Sequence, residues 1–174
     1  SHSDSPSFRI KSNPDINSDN KYIKLNIEKY GGMIMAPWFD RPLSIAGRVI
    51  LKTSDGIESR LIDIDRDLLI IPNLAIHMNR EVNDGYKFNA QNDMPALFSQ
   101  DVQDKSFNSF LAGELKTDEN SILDYDLFLY NRMKGTILGA KEEFIASARL
   151  DDLQCAYASL TAFIDSKNSS SISL

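Results

Sequence analysis

The feature that most constrains the fold is an Asp55-Gly56 pair between two segments rich in apolar residues, "SIAGRVILK" and "IESRLIDID". Asp-Gly is a strong signal for a β-hairpin, because glycine adopts the positive φ values that tight turns need. Apolar residues also alternate with polar ones from Lys21 onward and in "SILDYDLFLY", and "RDLLIIP" and Phe8–Lys11 are typical of short strands. Several short strands at close spacing predict an antiparallel barrel or sandwich.

The flanks of these strands have a different character. Residues 12–20 are polar and indicate turns, and residues 83–104 indicate a long irregular loop. "KSFNSFLAGEL" predicts a short helix. A clear amphipathic helix is predicted near the end of the chain, where apolar residues recur every three or four positions: Leu150, Leu153, Tyr157, Leu160 and Ile164. Cys155 lies among them and is predicted to be a small core residue. The tail "SKNSSSISL" is predicted to be disordered. The fold class is therefore α+β, a β-rich body with a few helices.

Composition excludes some classes of function. The chain has 174 residues, 42% of them hydrophobic, which suffices for one sizeable core or one domain with an appendage. A net charge of -6 argues against nucleic-acid binding, which needs a clustered positive surface. No apolar run approaches the roughly 20 residues that span a bilayer. A single cysteine and the lack of a secretory signal pattern favour a cytoplasmic protein.

The first candidate site is the triplet His2-Ser3-Asp4. On a strand both His2 and Asp4 point to the same side, and a metal-bound imidazole needs a partner for its other ring nitrogen. A carboxylate at this spacing meets that need. On local grounds alone, a solvated chain end or a tag remnant is the simpler explanation of the histidine.

Other candidates also have two interpretations. Asp151 or Asp152, at the start of the last predicted helix, suits a capping role, although such a carboxylate can also bridge two cations. His77 follows a strand in an apolar context, as a hydrogen-bonded structural histidine does. The adjacent Glu142 and Glu143 indicate a surface charge pair.

Taken together, the segments resemble the aspartyl aminopeptidase-like zinc metallopeptidases, a family of di-metal aminopeptidases. The blocks that carry the resemblance occur in the family's order from residue 2 to about residue 165: "HSDSP", "YGGMIMAPWFDRPLSIAGRVI", "ESRLIDIDRDLLIIPNLAIHMNR" and "ILGAKEEFIASARLDDL". Met33 stands where the family has a third glycine, and Asp152 where it usually has asparagine.

The resemblance implies roles for four residues. His2 matches a zinc ligand, and Asp4 the acidic residue that orients it and supports catalysis. Asp151 matches the carboxylate that bridges two zinc ions. His77 matches a histidine that contacts substrate in the active site of a neighbouring subunit. The implied activity is release of N-terminal, acidic residues from peptides, in a homo-oligomer that dimerises through an inserted domain and forms larger assemblies.

The family's second histidine, further carboxylate ligands and catalytic glutamate have no counterparts here. The chain is therefore predicted to be a fragment: residues 1–20 and 139–174 as stubs of an α/β catalytic domain, and residues 21–138 as a β-rich lid and dimerisation domain. The alternative is that the chain, in this form, is an inactive oligomerisation module.

Overall fold

The computed structural model describes residues 1–100 and 106–167, which form two compact units. The larger unit is Ser7–Arg132; the smaller one comprises Ser1–Pro6 and the described part of Met133–Leu174. The boundaries predicted from the sequence, near residues 20 and 138, differ from those of these two units. The first strand pairs along its length with strands of the larger unit, so residues 7–18 group with that unit.

A six-stranded antiparallel sheet dominates the larger unit. Its order is β4-β3-β6-β1-β2-β5. The strands are β1 (Ser7–Ser18), β2 (Tyr22–Tyr30), β3 (Leu43–Thr53), β4 (Gly56–Asp63), β5 (Ala96–Ser99) and β6 (Ile122–Asn131). Thr53 pairs with Gly56 across the β3–β4 turn, so the hairpin predicted at Asp55-Gly56 is confirmed.

The segment predicted as a strand in "RDLLIIP" closes the sheet into a barrel-like ring without forming a full ladder. Leu69 bridges Leu43 of β3, and Ile70 bridges Leu97 of β5. The backbone N–H of Leu43 donates to Leu69 O at 2.9 Å, and that of Leu97 donates to Ile70 O at 2.7 Å. The strands β3, β6, β1, β2 and β5 therefore enclose one core, and β4 extends outside the ring. The α+β class is confirmed.

The first strand is longer than its sequence suggests. Residues 12–18 belong to β1, where a turn region was predicted, and the pairing with β2 shifts register between Ile10 and Asp15. A β-bulge admits residues that a regular ladder excludes, and Pro14 is buried within it. The turn itself occupies Asp19 and Asn20, both at positive φ.

The predicted loop at 83–104 contains two elements. α1 (Ala90–Asp93) begins after Asn89, whose side chain accepts the N–H groups of Gln91 and Asn92, and β5 follows it. Residues 101–105 of that loop lie outside the described residues.

The helix predicted in "KSFNSFLAGEL" is confirmed as α2 (Phe107–Leu115), with Phe107 and Leu111 fully buried. Asp15 of β1 accepts the Phe107 N–H, and burial raises the pKa of that carboxyl. The core also contains Phe8, Leu25, Leu127 and Leu129.

The smaller unit consists of a hairpin and a helix: β7 (Thr136–Leu138), β8 (Phe144–Ala146) and α3 (Leu150–Asp165). The predicted amphipathic helix is therefore present. Its apolar residues and Cys155 are exposed, so the prediction of a core cysteine is wrong for this chain, because no described residue of this unit covers that face. Residues 168–174 of the predicted disordered tail lie outside the described residues. In the described part of the chain, no helix combines the length and apolarity needed to cross a bilayer.

Candidate metal centre

The N-terminal segment and the start of α3 meet within the smaller unit. The backbone N–H of His2 donates to Asp152 Oδ2 at 2.9 Å. This hydrogen bond joins the two ends of the chain and sets the imidazole beside the first turn of α3. Residues that are remote in sequence thereby share one surface.

Asp4 contacts the Nδ1 side of the imidazole of His2. Nδ1 of His2 lies 3.0 Å from the backbone O of Asp4 and 3.2 Å from its Oδ1. Both partners are acceptors, so they favour a hydrogen on Nδ1, which in a neutral imidazole leaves the lone pair on Nε2. This is the tautomer in which a histidine binds a metal through Nε2.

The other ring nitrogen of His2, Nε2, points to Asp151. Nε2 of His2 lies 3.6 Å from Asp151 Oδ1, which is too long for a hydrogen bond. Zinc binds imidazole nitrogen and carboxylate oxygen at about 2.0–2.2 Å, so two ligands of one tetrahedral ion stand about 3.4 Å apart. The observed separation therefore fits a shared zinc ion.

Exposure supports the same interpretation. The side chain of Asp151 is 97% exposed and that of His2 is 52% exposed. A carboxylate and a ring nitrogen that face each other in solvent are accessible to an ion. The four side chains around this point also carry excess negative charge, because Asp4, Asp151 and Asp152 surround a single histidine.

The local backbone explains how Asp151 and Asp152 diverge. Both have non-helical φ/ψ values at the start of α3. The residue preceding the helix, Arg149, provides no side-chain cap, and the predicted capping role is not seen for Asp151.

Asp152 has a separate, structural task. It accepts hydrogen bonds from the Cys155 thiol and from the backbone N–H of His2, and these two bonds lower the pKa of its carboxyl. Donation to Asp152 in turn raises the pKa of the Cys155 thiol. Asp152 is thus the residue that anchors His2, a role that the sequence did not reveal.

His2 and Asp151 form an incomplete ligand set. Among residues 1–100 and 106–167, no group of three or more His, Cys, Asp or Glu side chains could hold a metal ion. Glu142 and Glu143 are exposed, as expected for a surface pair, and Glu143 accepts the Lys141 N–H at 2.8 Å.

His77 lies in the larger unit, in a single 3₁₀ turn (Ile76–Met78) with an exposed side chain. Asp40 orients the chain that leads to this turn. Its Oδ1 accepts the Asn73 N–H at 2.9 Å, and its own N–H donates to Ile71 O at 2.9 Å. Only the structure relates Asp40 to the His77 segment.

The family model described as aminopeptidase I zinc metalloprotease (M18) matches residues 1–173. A probable M18 family aminopeptidase 2 of Clostridium acetobutylicum is 49% identical over 172 residues, and one of Clostridium novyi is 47% identical. In both cases the match covers 95% of this chain and 40% of the relative. The chain thus spans less than half the length of these relatives.

Solved structures show the same fold. A chain in the cryo-EM structure of the Ape4 and Nbr1 complex matches with a TM-score of 0.83 at 33% identity, covering 97% of this chain and 36% of that one. The S. cerevisiae mApe1 dodecamer matches with a TM-score of 0.71 at 26% identity, covering 94% and 37%. The ordered motifs, the antiparallel fold and the family match over nearly every residue agree: the chain belongs to the M18 family of aminopeptidases, the zinc metalloproteases related to aminopeptidase I.

Proposed function

We propose that this chain is part of a zinc aminopeptidase that releases N-terminal, acidic residues from peptides. The observation that carries the proposal is the approach of His2 Nε2 to Asp151 Oδ1 at 3.6 Å, with Nδ1 of the same ring held by Asp4. Membership of a family described as zinc metalloproteases supports zinc as the metal.

His2 and Asp151 hold the metal in this proposal. Bound zinc supplies a Lewis acid that polarises the scissile carbonyl of a peptide. Asp151, whose carboxylate is almost fully exposed, would offer its second oxygen to a second zinc ion if one were bound. Asp4 keeps the hydrogen of His2 on Nδ1 and so keeps the Nε2 lone pair available, and Asp152 fixes the backbone of His2.

The larger unit is proposed to act as the lid and dimerisation domain, and the smaller unit as part of the catalytic domain. His77 is proposed to contact the substrate of a neighbouring subunit, for which its exposed position on a short turn is suitable. The assembly of the related S. cerevisiae protein as a dodecamer supports a homo-oligomer. We also propose that the protein is cytoplasmic and that neither nucleic acid nor a membrane is among its partners.

A second candidate is that the chain in this form is an inactive oligomerisation or lid module. It is favoured by the ligand set, because His2 and Asp151 provide two zinc ligands where tight sites use three or four. The described residues contain no larger cluster of metal-binding side chains. The two candidates differ in what they predict for turnover and for metal affinity.

The first experiment measures turnover of aminoacyl-coumarin amides carrying Asp, Glu, Leu or Ala. It compares the 174-residue chain with a longer protein that contains this chain and has the length of its relatives. The aminopeptidase proposal expects the longer protein to prefer the acidic substrates and to lose at least about 100-fold in kcat/KM in His2→Ala or Asp151→Ala. Turnover unchanged in both variants would refute the site.

The second experiment measures zinc binding by the 174-residue chain alone, using calorimetry and native mass spectrometry. Weak binding of zinc that His2→Ala abolishes, without turnover, supports the inactive module with a residual half-site. Two tightly held zinc ions together with turnover would contradict that alternative.

A further inference from the structure

The segment that carries His77 has little apolar burial to hold it in place. His77 lies in a single 3₁₀ turn, Ile76–Met78, and residues 72–78 are all exposed. Leu74 is 54% exposed and Met78 is 69% exposed, although both are large apolar side chains. A segment with few buried contacts has low local stability, so its conformation depends mainly on hydrogen bonds.

Asp40 connects this segment to the body of the larger unit. Its Oδ1 accepts the Asn73 N–H at 2.9 Å, and its backbone N–H donates to Ile71 O, also at 2.9 Å. In the described part of the chain, every other hydrogen bond of residues 73–80 stays within residues 73–82. The carboxylate of Asp40 is therefore the hydrogen-bonding group that ties the segment to residues outside it.

The backbone that leads to Asp40 is itself firmly packed. Phe39 is only 8% exposed, and its ring centroid lies 4.9 Å from that of Phe88. The ring of Trp38 meets that of Phe8, a core residue of β1, edge to face at 5.0 Å. Asp40 has a φ of +56°, a left-handed conformation that aspartate adopts more readily than most residues. Asp40 thus follows directly from the core and provides a fixed point for the exposed segment.

We propose that Asp40 is a positioning residue, which sets the place of the His77 imidazole for contact with substrate through its hydrogen bond to Asn73. The inference rests on the proposed role of His77 toward the substrate of a neighbouring subunit. The path from Asn73 to the turn is short and consists of local hydrogen bonds. Asn73 Oδ1 accepts the Leu74 N–H at 2.9 Å, and the Met78 N–H donates to the backbone O of the residue before the turn at 2.8 Å. A misplacement of about 1 Å in a substrate contact can cost about 100-fold in rate.

Two substitutions separate the acceptor of Asp40 from its backbone conformation. Asp40→Gly removes the acceptor, and glycine adopts positive φ without strain. Asp40→Asn keeps an Oδ1 acceptor for the Asn73 N–H and also tolerates positive φ. Asp118→Gly is the matched control. Asp118 Oδ1 accepts the Asn120 N–H at 2.7 Å and caps another single 3₁₀ turn of the same unit, Glu119–Ser121, which carries no histidine.

The first experiment measures kcat and KM for an acidic aminoacyl-coumarin amide, using the longer protein that contains this chain. Asp40→Gly should lower kcat/KM about tenfold, because the imidazole is no longer held in place. Asp40→Asn should recover to within about twofold of wild type, since the acceptor is kept, and Asp118→Gly should remain in the same range. A loss in Asp40→Asn as large as in Asp40→Gly, or in Asp118→Gly as large as in Asp40→Gly, would overturn the proposal.

A double-mutant cycle tests whether Asp40 acts through His77. With His77→Ala already present, Asp40→Gly should change kcat/KM less than about twofold, because there is no imidazole left to position. An equal loss with and without the histidine would overturn the proposal. Unchanged turnover in His77→Ala itself would also overturn it, whereas the proposed metal site is judged separately by His2→Ala and Asp151→Ala.

A measurement without turnover tests the positioning itself. In the 174-residue chain, NMR should show faster solvent exchange of the Asn73 and Met78 amides in Asp40→Gly than in wild type, and recovery in Asp40→Asn. Cross-peaks of the His77 ring should shift in the glycine variant and return in the asparagine variant. Circular dichroism establishes that both variants are folded. Exchange at Asn73 and Met78 unchanged in Asp40→Gly would overturn the proposal, whatever the activity of the longer protein.

Discussion

Nε2 of His2 and Oδ1 of Asp151 lie 3.6 Å apart, although the residues stand at opposite ends of the chain. The separation is close to the ligand spacing of a single tetrahedral zinc ion, about 3.4 Å. The hydrogen bond from His2 N–H to Asp152 holds the two segments in this relation. Two acids that are neighbours in sequence thus have different tasks, one facing the imidazole and the other fixing the backbone.

Replacement of Asp4 should weaken zinc binding by its effect on the His2 tautomer. In Asp4→Asn, Nδ1 of His2 keeps the backbone O of Asp4 but loses the carboxylate acceptor, so the Nδ1–H tautomer is less strongly favoured. Loss of such a partner typically costs 10–100-fold in metal affinity, so a decrease of about tenfold is expected. Calorimetry measures the affinity, and ¹⁵N chemical shifts of the ring report the tautomer in the metal-free chain. A lower affinity with an unchanged tautomer would contradict this role.

Asp151 and Asp152 should respond differently to the same change. Asp151→Asn removes an exposed carboxylate and should lower zinc affinity without altering the unfolding midpoint. Asp152→Asn should instead free the N-terminal segment, because its carboxylate accepts the His2 N–H and the Cys155 thiol. Amide exchange at His2 should accelerate in Asp152→Asn and not in Asp151→Asn. The reverse pattern would show that the two roles have been exchanged.

Tyr125 should make the larger unit sensitive to alkaline pH. Burial, with nearby Asp15 and Asp124, raises the pKa of its phenol to about 12, from 10.0 when unperturbed. A raised folded-state pKa contributes stability that is fully present below pH 10 and is lost as the pH rises through about 12. The phenol also donates to Lys11 O at 3.0 Å. Chemical denaturation should show that wild type loses stability between these pH values and that Tyr125→Phe loses less. Identical slopes would contradict the assignment.

Gly47 should be intolerant of any side chain. It lies in β3 at φ +152°, and a Cβ atom there would stand 2.1 Å from the backbone O of Asp126. Both facts require glycine, and Gly47→Ala should reduce the free energy of unfolding by roughly 3 kcal/mol. Gly113→Ala is the matched control. A Cβ at Gly113 meets nothing within 4 Å, and alanine should stabilise α2 by about 0.5–1 kcal/mol. Denaturant unfolding measures both, and equal effects would refute the steric explanation.

Local patterns predicted the elements whose conformation depends on nearby residues. The alternation of apolar and polar residues in β6 correctly predicted which side of the strand is buried, since Tyr125, Leu127 and Leu129 all face the core. The Asp55-Gly56 turn and the amphipathic α3 were recognisable for the same reason, because strand and helix periodicities are local properties. Leu123 is the exception in β6: it shares the apolar alternation but is exposed near the strand end.

Residue patterns were sufficient to predict the strand-rich class, the hairpin and the family to which the chain belongs. Long-range contacts, in contrast, determine that β1 continues through a bulge over Pro14, that Leu69–Ile71 closes the ring between β3 and β5, and that β4 pairs with β3 alone among the described strands. It also decided that His2 faces Asp151. The physical reason is that these relations join residues far apart in sequence. Contacts between such residues depend on how all the strands pair and how the sheet closes, and the local periodicity of apolar residues carries no information about them.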